Sequence, residues 1–227
     1  MKVYGKNVFN ELKTNRDKIK KVYLSASFKD EDIVRFIKEN KIPYVTVDKR
    51  KFDSMVDGNT QGIILDVADF QYKKLEEIDT LEKKIVILDH LEDPHNFGAI
   101  IRTCEASGIK SIIIPRDRSV QVTPTVVKTS TGALEYVNIY QVSNLKQAIE
   151  YLKKRGYFIY GAEADGRAYD EVSYSEKMVL VIGSEGHGIS RIIREACDEI
   201  ISIPMYGHVN SLNASVSFGV LVYGIKN

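Results

Sequence analysis

Ile182-Gly183-Ser184-Glu185-Gly186-His187-Gly188-Ile189 closes the apolar run Met178-Val179-Leu180-Val181 with three glycines. An apolar run of strand length that ends in glycines reads as a buried strand entering a tight turn. The spacing is Gly-x-x-Gly-x-Gly rather than Gly-x-Gly-x-x-Gly, and it lies late in the chain, whereas a dinucleotide fold carries its fingerprint in the first βα turn. No Gly-Lys-Ser/Thr follows, so a P-loop is excluded. Glycine has no Cβ, so the turn offers backbone that a ligand can approach closely; a strand-to-helix turn without a ligand is the alternative. One expected helix later come Ile203-Pro204-Met205 and Ser211-Leu212-Asn213-Ala214-Ser215-Val216, and far upstream Asn96-Phe97-Gly98-Ala99-Ile100-Ile101-Arg102 follows the apolar strand Ile85-Val86-Ile87-Leu88. In that order the three blocks read as the walls of one ligand pocket.

Around these blocks, apolar runs of strand length alternate with helical patterns, which points to an α/β fold with a mainly parallel sheet. The first part reads as a helix over 7–12, a strand over 22–24, a helix over 30–40, and strands over 44–47 and 62–67. Residues 69–83 are polar, with Gln71, Lys73, Lys74, Glu76, Glu77, Asp79, Glu82 and Lys83, and mark a boundary. The expected division is a small α/β domain over 1–74, a linker over 75–83 and a larger α/β domain over 84–227. The second part reads as strands over 85–89, 111–114, 136–139, 157–162, 178–183 and 200–203. Its helices are expected over 96–107, 123–131, 143–155 and 189–197, with a closing helix from about 211. There is no internal repeat.

Composition is that of an ordinary globular protein, with 44% hydrophobic and 28% charged residues. No apolar run approaches the length of a membrane span, and the opening residues Met1 to Asn7 lack a signal-peptide core, so the expectation is a cytoplasmic protein. Cys104 and Cys197 have no CxxC or metal-ligand spacing and read as reduced core residues. The net charge of +1 hides an asymmetry: residues 1–74 hold 16 Lys+Arg against 11 Asp+Glu, and residues 75–227 hold 16 against 20. A basic small module beside an acidic larger one suits a protein whose first part grips a polyanion while its second does chemistry. Chance imbalance on solvated faces is the other reading.

Among single residues, Arg102 lies six positions after Asn96 on one expected helix, and a guanidinium fixed there can hold a phosphate bidentately. An exposed arginine on a helix face is the bland alternative. Glu185 sits among the glycines, and Ser211 and Asn213 are both good caps for the last helix. His90, His95, His187 and His208 are scattered without a partnered spacing such as HExxH, so no metal is expected. The absence of a Gly-x-Ser-x-Gly elbow argues against acyl transfer through serine.

In this order the blocks 96–102, 181–188 and 203–216, with Lys128-Thr129-Ser130-Thr131-Gly132-Ala133 between them, resemble the SPOUT superfamily, and within it the TrmH-type RNA ribose 2'-O-methyltransferases. Tyr4-Gly5-Lys6-Asn7-Val8-Phe9-Asn10-Glu11-Leu12 and Gln61-Gly62-Ile63 are similar to the amino-terminal substrate-binding domain of RlmB-like ribosomal RNA (guanosine-2'-O)-methyltransferases. Thr60 departs from the histidine that many relatives carry there. The resemblance implies a trefoil knot near the carboxyl end, with S-adenosylmethionine bound bent within it by main chain around Gly183, Ile203, Met205 and Leu212. It also implies a homodimer with each active site at the subunit interface. It nominates Arg102, with an RNA phosphate, to activate the ribose hydroxyl, with Asn96, Glu185, Ser211 and Asn213 orienting the reactants and Glu185 as the alternative base. The implied substrate is a guanosine of large-subunit (23S) ribosomal RNA; transfer RNA as substrate, and a non-catalytic RNA-binding protein that keeps the fold, are the competing readings.

Overall fold

The computed structural model describes residues 1–79 and 81–225, and the chain divides into two compact units. The first comprises Met1–Gln71 together with Val122–Gly132. It runs β1 (Lys2–Tyr4), α1 (Lys6–Leu12), β2 (Ile19–Ser25), α2 (Glu31–Glu39), β3 (Tyr44–Val47), α3 (Lys49–Asp53) and β4 (Ile63–Val67). Its sheet has the order β1-β4-β2-β3, with β4 antiparallel to both neighbours and β2 parallel to β3. The α2 helix illustrates how local sequence sets an element. Asp30 caps it by accepting from the Ile33 N–H at 3.2 Å, Glu31 and Asp32 complement the amino end of the helix dipole, and Lys38 complements the carboxyl end. Ile33 and Ile37, one turn apart, carry its buried face.

The second unit begins at Tyr72 and runs through β5 (Lys84–Asp89), α4 (Pro94–Ala106) and β6 (Ser111–Pro115). After α5 (Pro124–Ser130), which groups with the first unit, it continues from Ala133 with β7 (Asn138–Val142), α6 (Leu145–Lys153) and β8 (Phe158–Ala168). It ends with β9 (Met178–Gly183), α7 (Arg191–Arg194), β10 (Glu199–Ser202) and α8 (Ala214–Gly224). Six parallel strands take the order β10-β8-β9-β5-β6-β7. The central pair, β5 and β9, is an almost unbroken apolar run because both faces of a parallel sheet are covered. Leu145, Ala148, Ile149 and Leu152 of α6 and Ile193 of α7 pack with Ile85, Ile87, Val179 and Val181. Each fully buried aliphatic side chain there contributes roughly 1.5–3 kcal/mol. The alternate residues Val86, Leu88, Leu180 and Ile182 are buried on the opposite face, and α8 packs against both α4 and β9. Register places Asp89 beside Gly183, so the segments leaving β5 and β9 emerge together at the carboxyl edge of the sheet.

Several expected boundaries move. The strand expected over 136–139 is β7 at Asn138–Val142, because Ala133–Glu135 form a 3-10 turn and leave Tyr136 exposed. β8 continues to Ala168, six residues past its expected end, and β10 pairs with both halves of it: Ile200 lies opposite Gly161 and Ile201 opposite Arg167. Gly166 permits this close approach, since a Cβ there would lie 2.6–2.7 Å from the Ile200 and Ile201 carbonyl groups. The helix expected over 189–197 shrinks to the four residues of α7, because Asp198 is drawn to β8, donating its N–H to the Ile159 carbonyl at 2.8 Å and accepting from the Ile159 N–H at 2.8 Å. The closing helix starts at Ala214, where Asn213 caps it. β1 and α3 are too short to leave a periodic signal and were not expected.

Cys104 and Cys197 both lie in the second unit as free thiols. Burial pushes the Cys104 thiol well above its ordinary value and raises that of Cys197 to about 12. Both should therefore resist Ellman's reagent at pH 8 in the native protein and react on denaturation; rapid native labelling would contradict this packing. From the unfolded thiol's value of about 8.5 upward the unfolded chain sheds protons that the folded chain retains, so stability should fall as pH rises toward about 12.

Candidate active site

The glycine turn closes on itself where β9 ends. The Ser184 and Gly188 backbones exchange two hydrogen bonds of 3.0 Å, which folds the segment back over Gly183. A Cβ on Gly183 would collide with the Gly188 carbonyl and the Ile189 nitrogen, so only glycine fits. Gly186 and Gly188 have φ of 82° and 65°, in the left-handed region that glycine enters without strain. Two carboxylates hold the exit of the turn. Glu163, on β8, accepts from the Ile189 N–H, and Asp89, at the end of β5 and only 1% exposed, accepts from the Ser190 N–H at 2.6 Å. The second Asp89 oxygen pairs with His90 Nδ1 at 2.5 Å.

Beside the turn lies a cavity of about 590 Å³. Its walls come from residues 162–164 of β8, the glycine turn 182–188, the chain leaving β10 through Ile203 and Met205, the segment 210–214, and Ser217 and Leu221 of α8. The lining is mostly glycine, alanine, serine and aliphatic residues, with His187 among them. Its two carboxylates, Glu163 and Glu185, are joined by no lysine or arginine.

Glu185 is held in this wall by two side-chain amides. Its Oε1 accepts from Asn96 Nδ2 and, at 3.0 Å, from Asn213 Nδ2. Each amide is itself fixed. Asn96 stands in the first turn of α4, where Asp93 caps the helix through the His95 and Asn96 N–H groups at 3.0 and 3.3 Å and Pro94 starts it. Asn213 Oδ1 accepts from the Ser215 and Val216 N–H groups at 3.0 and 3.4 Å, so its NH₂ is the end left facing Glu185. One side chain thus both starts α8 and orients the carboxylate.

Of the residues singled out in the sequence, Gly183, Glu185, Ile203, Met205, Ser211, Leu212 and Asn213 all line the cavity, and Asn96 joins them through Glu185. Arg102 does not line it. It stands exposed on α4 without a hydrogen bond or ion pair to any described residue. Asp89 and Glu163 are the two residues sequence reasoning passed over. A charge ending the apolar run 85–88, and another just past the expected end of the strand over 157–162, were the available signals: acids at the carboxyl edge of a parallel sheet, where ligands bind.

Two family models match the chain. One, described as the SpoU rRNA methylase family, covers residues 83–223, and the other, described as RNA 2'-O ribose methyltransferase substrate binding, covers residues 2–73. A Staphylococcus haemolyticus protein named a TrmH family tRNA/rRNA methyltransferase is 39% identical, the alignment covering 98% of this chain and 94% of the relative. Among solved structures, the SpoU methyltransferase AviRb from Streptomyces viridochromogenes, crystallised with the cofactor AdoMet, shares the fold with a TM-score of 0.86 at 20% identity, over 99% of this chain and 88% of its own. The A. aeolicus TrmH/SpoU tRNA modifying enzyme matches 63% of this chain and 73% of its own, with a TM-score of 0.56 and 34% identity.

The geometry separates two costs that urea unfolding can measure. Asn213→Ala removes a helix cap and should lower stability by about 1 kcal/mol. Gly183→Ala forces the turn off its own backbone and should cost more than about 2 kcal/mol.

Proposed function

Because the chain belongs to the SpoU rRNA methylase family in its TrmH branch, we propose that it methylates the ribose 2'-hydroxyl of a guanosine in large-subunit (23S) ribosomal RNA, with S-adenosylmethionine as donor. Membership makes it an RNA 2'-O-methyltransferase; the finer target is our reading. The observation that carries the cofactor assignment is the charge of the cavity. A pocket of this size with two carboxylates and no lysine or arginine suits a compact cation and disfavours the phosphates of ATP or NAD. The close backbone approach at Gly183 suits an adenosine held by main-chain groups, and in this reading Gly183, Ile203, Met205 and Leu212 hold it.

When bound, S-adenosylmethionine supplies a methyl on a sulfonium; transfer to the ribose oxygen breaks the S–CH₃ bond, forms the O–CH₃ bond and releases the hydroxyl proton. The protein's residues then have to hold the two reactants in line at near-attack distance. Asn96 and Asn213 fix Glu185, and Glu185 with Ser211 orients the ribose. Arg102 pairs with the RNA phosphate and the 2'-oxygen through its planar fork. A guanidinium stays protonated, so its part is to position and neutralise rather than to take the proton. Glu185, whose second oxygen is outside its two amide bonds, is the alternative acceptor.

The same reading includes a homodimer. Arg102 is exposed and outside the cavity, and α8 leaves Val216 51% and Tyr223 64% exposed, an apolar surface that a second copy would cover. A trefoil knot through the cavity-forming segments and residence in the cytoplasm complete it; among the described residues no helix is long and apolar enough to cross a membrane. Ribosomal RNA is favoured by the basic substrate-binding unit. The A. aeolicus tRNA-modifying enzyme matches a share of the chain about equal to the second unit alone. Transfer RNA is the second reading, since the staphylococcal relative's name includes both substrates.

Labelled methyl transfer to unmodified 23S ribosomal and transfer RNA, with mapping of alkali-resistant linkages, tests the proposal: one guanosine in 23S RNA is expected, and a transfer-RNA site would move the target. Arg102→Ala should cut the transfer rate by at least about 100-fold, and Arg102→Lys nearly as much, while cofactor binding persists. An unchanged rate would sink the assignment of Arg102. RNA affinity should fall steeply with salt, as phosphate contacts require, and the protein should sediment as a dimer.

A further inference from the structure

Glu163 holds the exit of the glycine turn and lines the cavity, yet none of the contacts assigned above to cofactor or RNA uses it. Its Oε1 accepts from the Ile189 N–H at the exit of the glycine turn, and its Oε2 has no hydrogen-bond partner among the described residues. Arg194, a cation whose field it reaches, has both terminal nitrogens committed to Asp165 at 2.8 and 2.9 Å. The carboxyl lies directly over Gly188, where a Cβ would sit 2.8 Å from Oε2. The turn therefore has a glycine where any other residue would push this acid aside. A half-buried carboxylate held by a backbone N–H, with its other oxygen unpaired on the wall of a cavity lined by no lysine or arginine, is an arrangement that favours a bound positive charge.

Resting on the assignment of S-adenosylmethionine to this cavity, we infer that Glu163 is the cofactor-selecting residue, whose carboxylate faces the sulfonium and so holds the methyl donor more tightly than its demethylated product. Transfer of the methyl group turns the sulfonium into a neutral thioether while leaving the rest of the molecule unchanged. An acid aimed at the sulfur therefore distinguishes donor from product by charge alone. It loses its partner at the moment the reaction is complete, which speeds release of S-adenosylhomocysteine. Glu185, the other acid of the wall, also keeps one oxygen outside its two amide bonds, but in the proposed function that carboxylate faces the ribose, which leaves Glu163 for the sulfonium.

Glu163→Gln in the full chain isolates the charge, because the glutamine carbonyl can still accept from the Ile189 N–H. Calorimetric titration should show S-adenosylmethionine binding weakened about tenfold and S-adenosylhomocysteine by less than about twofold, the separation expected when one half-solvated charge pair is removed. Sinefungin, which carries an ammonium in place of the sulfonium, should weaken as S-adenosylmethionine does. Glu163→Asp, which keeps the charge, should retain the preference for the donor, and unchanged melting of the unliganded Gln variant would separate the effect from a loss of fold. Equal weakening of donor and product, or no change in either, overturns the inference. Failure of the wild-type protein to bind S-adenosylmethionine at all would instead overturn the cofactor assignment on which it rests, and the inference with it.

Discussion

The cavity depends on one close contact: the backbone of Gly183 against the carbonyl of Gly188, with no room for a single carbon between them. That contact bends the chain sharply at the carboxyl end of a fully buried strand and makes the turn part of the cavity wall. A fold so tight is not held by its two internal hydrogen bonds alone. Asp89 and Glu163 reach from β5 and β8, the strands on either side of β9, and take the next two N–H groups of the chain. Three adjacent strands are thereby tied together at the edge where β5 and β9 end. The sheet order matters here as much as the residues, because only a β8-β9-β5 arrangement brings acids from both sides to one turn.

The same order explains why Asn96 meets Glu185 across 89 positions of sequence. β5 and β9 are neighbours in exact strand register to their last residues, so the helix that follows one starts beside the turn that follows the other. Asn213 arrives from a third direction and is fixed by its duty as a cap. A carboxylate oriented by two amides, each immobilised by helix-starting hydrogen bonds, costs little further entropy to position when a substrate comes. At Asn213 helix capping and site geometry are one set of bonds, so a substitution there that disturbs the site also disturbs α8.

Much of this was legible before the fold was known. The strands over 85–89 and 178–183 follow from unbroken apolar runs with charged or glycine-rich ends, and the three blocks of the pocket are contiguous in sequence, so each could be seen whole. Asn213 could be read as a cap, and it is one; that it also turns its amide to Glu185 requires a contact across 28 residues, which no local pattern encodes. The expected helix over 189–197 failed because its isoleucines at 189, 192 and 193 mimic a helical face, while the pull of Asp198 toward β8 decides the backbone and leaves Ile192 61% exposed. The length of β8 was hidden for a related reason: its second half pairs only with β10, far ahead in the chain, and Gly166, which allows that approach, reads in isolation as a strand breaker.

Charge is the remaining organising principle, and it works at two scales. Over the whole chain, residues 1–74 are basic and residues 75–227 acidic, a division that suits an enzyme taking a polyanion and a cation as its two reactants. Within the second unit the same logic is concentrated in one cavity lined by two carboxylates and no lysine or arginine. A phosphate entering that cavity would meet Glu163 and Glu185 with no lysine or arginine to neutralise it, whereas Arg102 stands exposed outside the cavity. In the function proposed above, a cavity for the cation and an arginine for the anion on separate surfaces would let each reactant be attracted to its own site and repelled from the other's, and would leave the neutral ribose hydroxyl as the part of the RNA able to approach the carboxylates at low electrostatic cost.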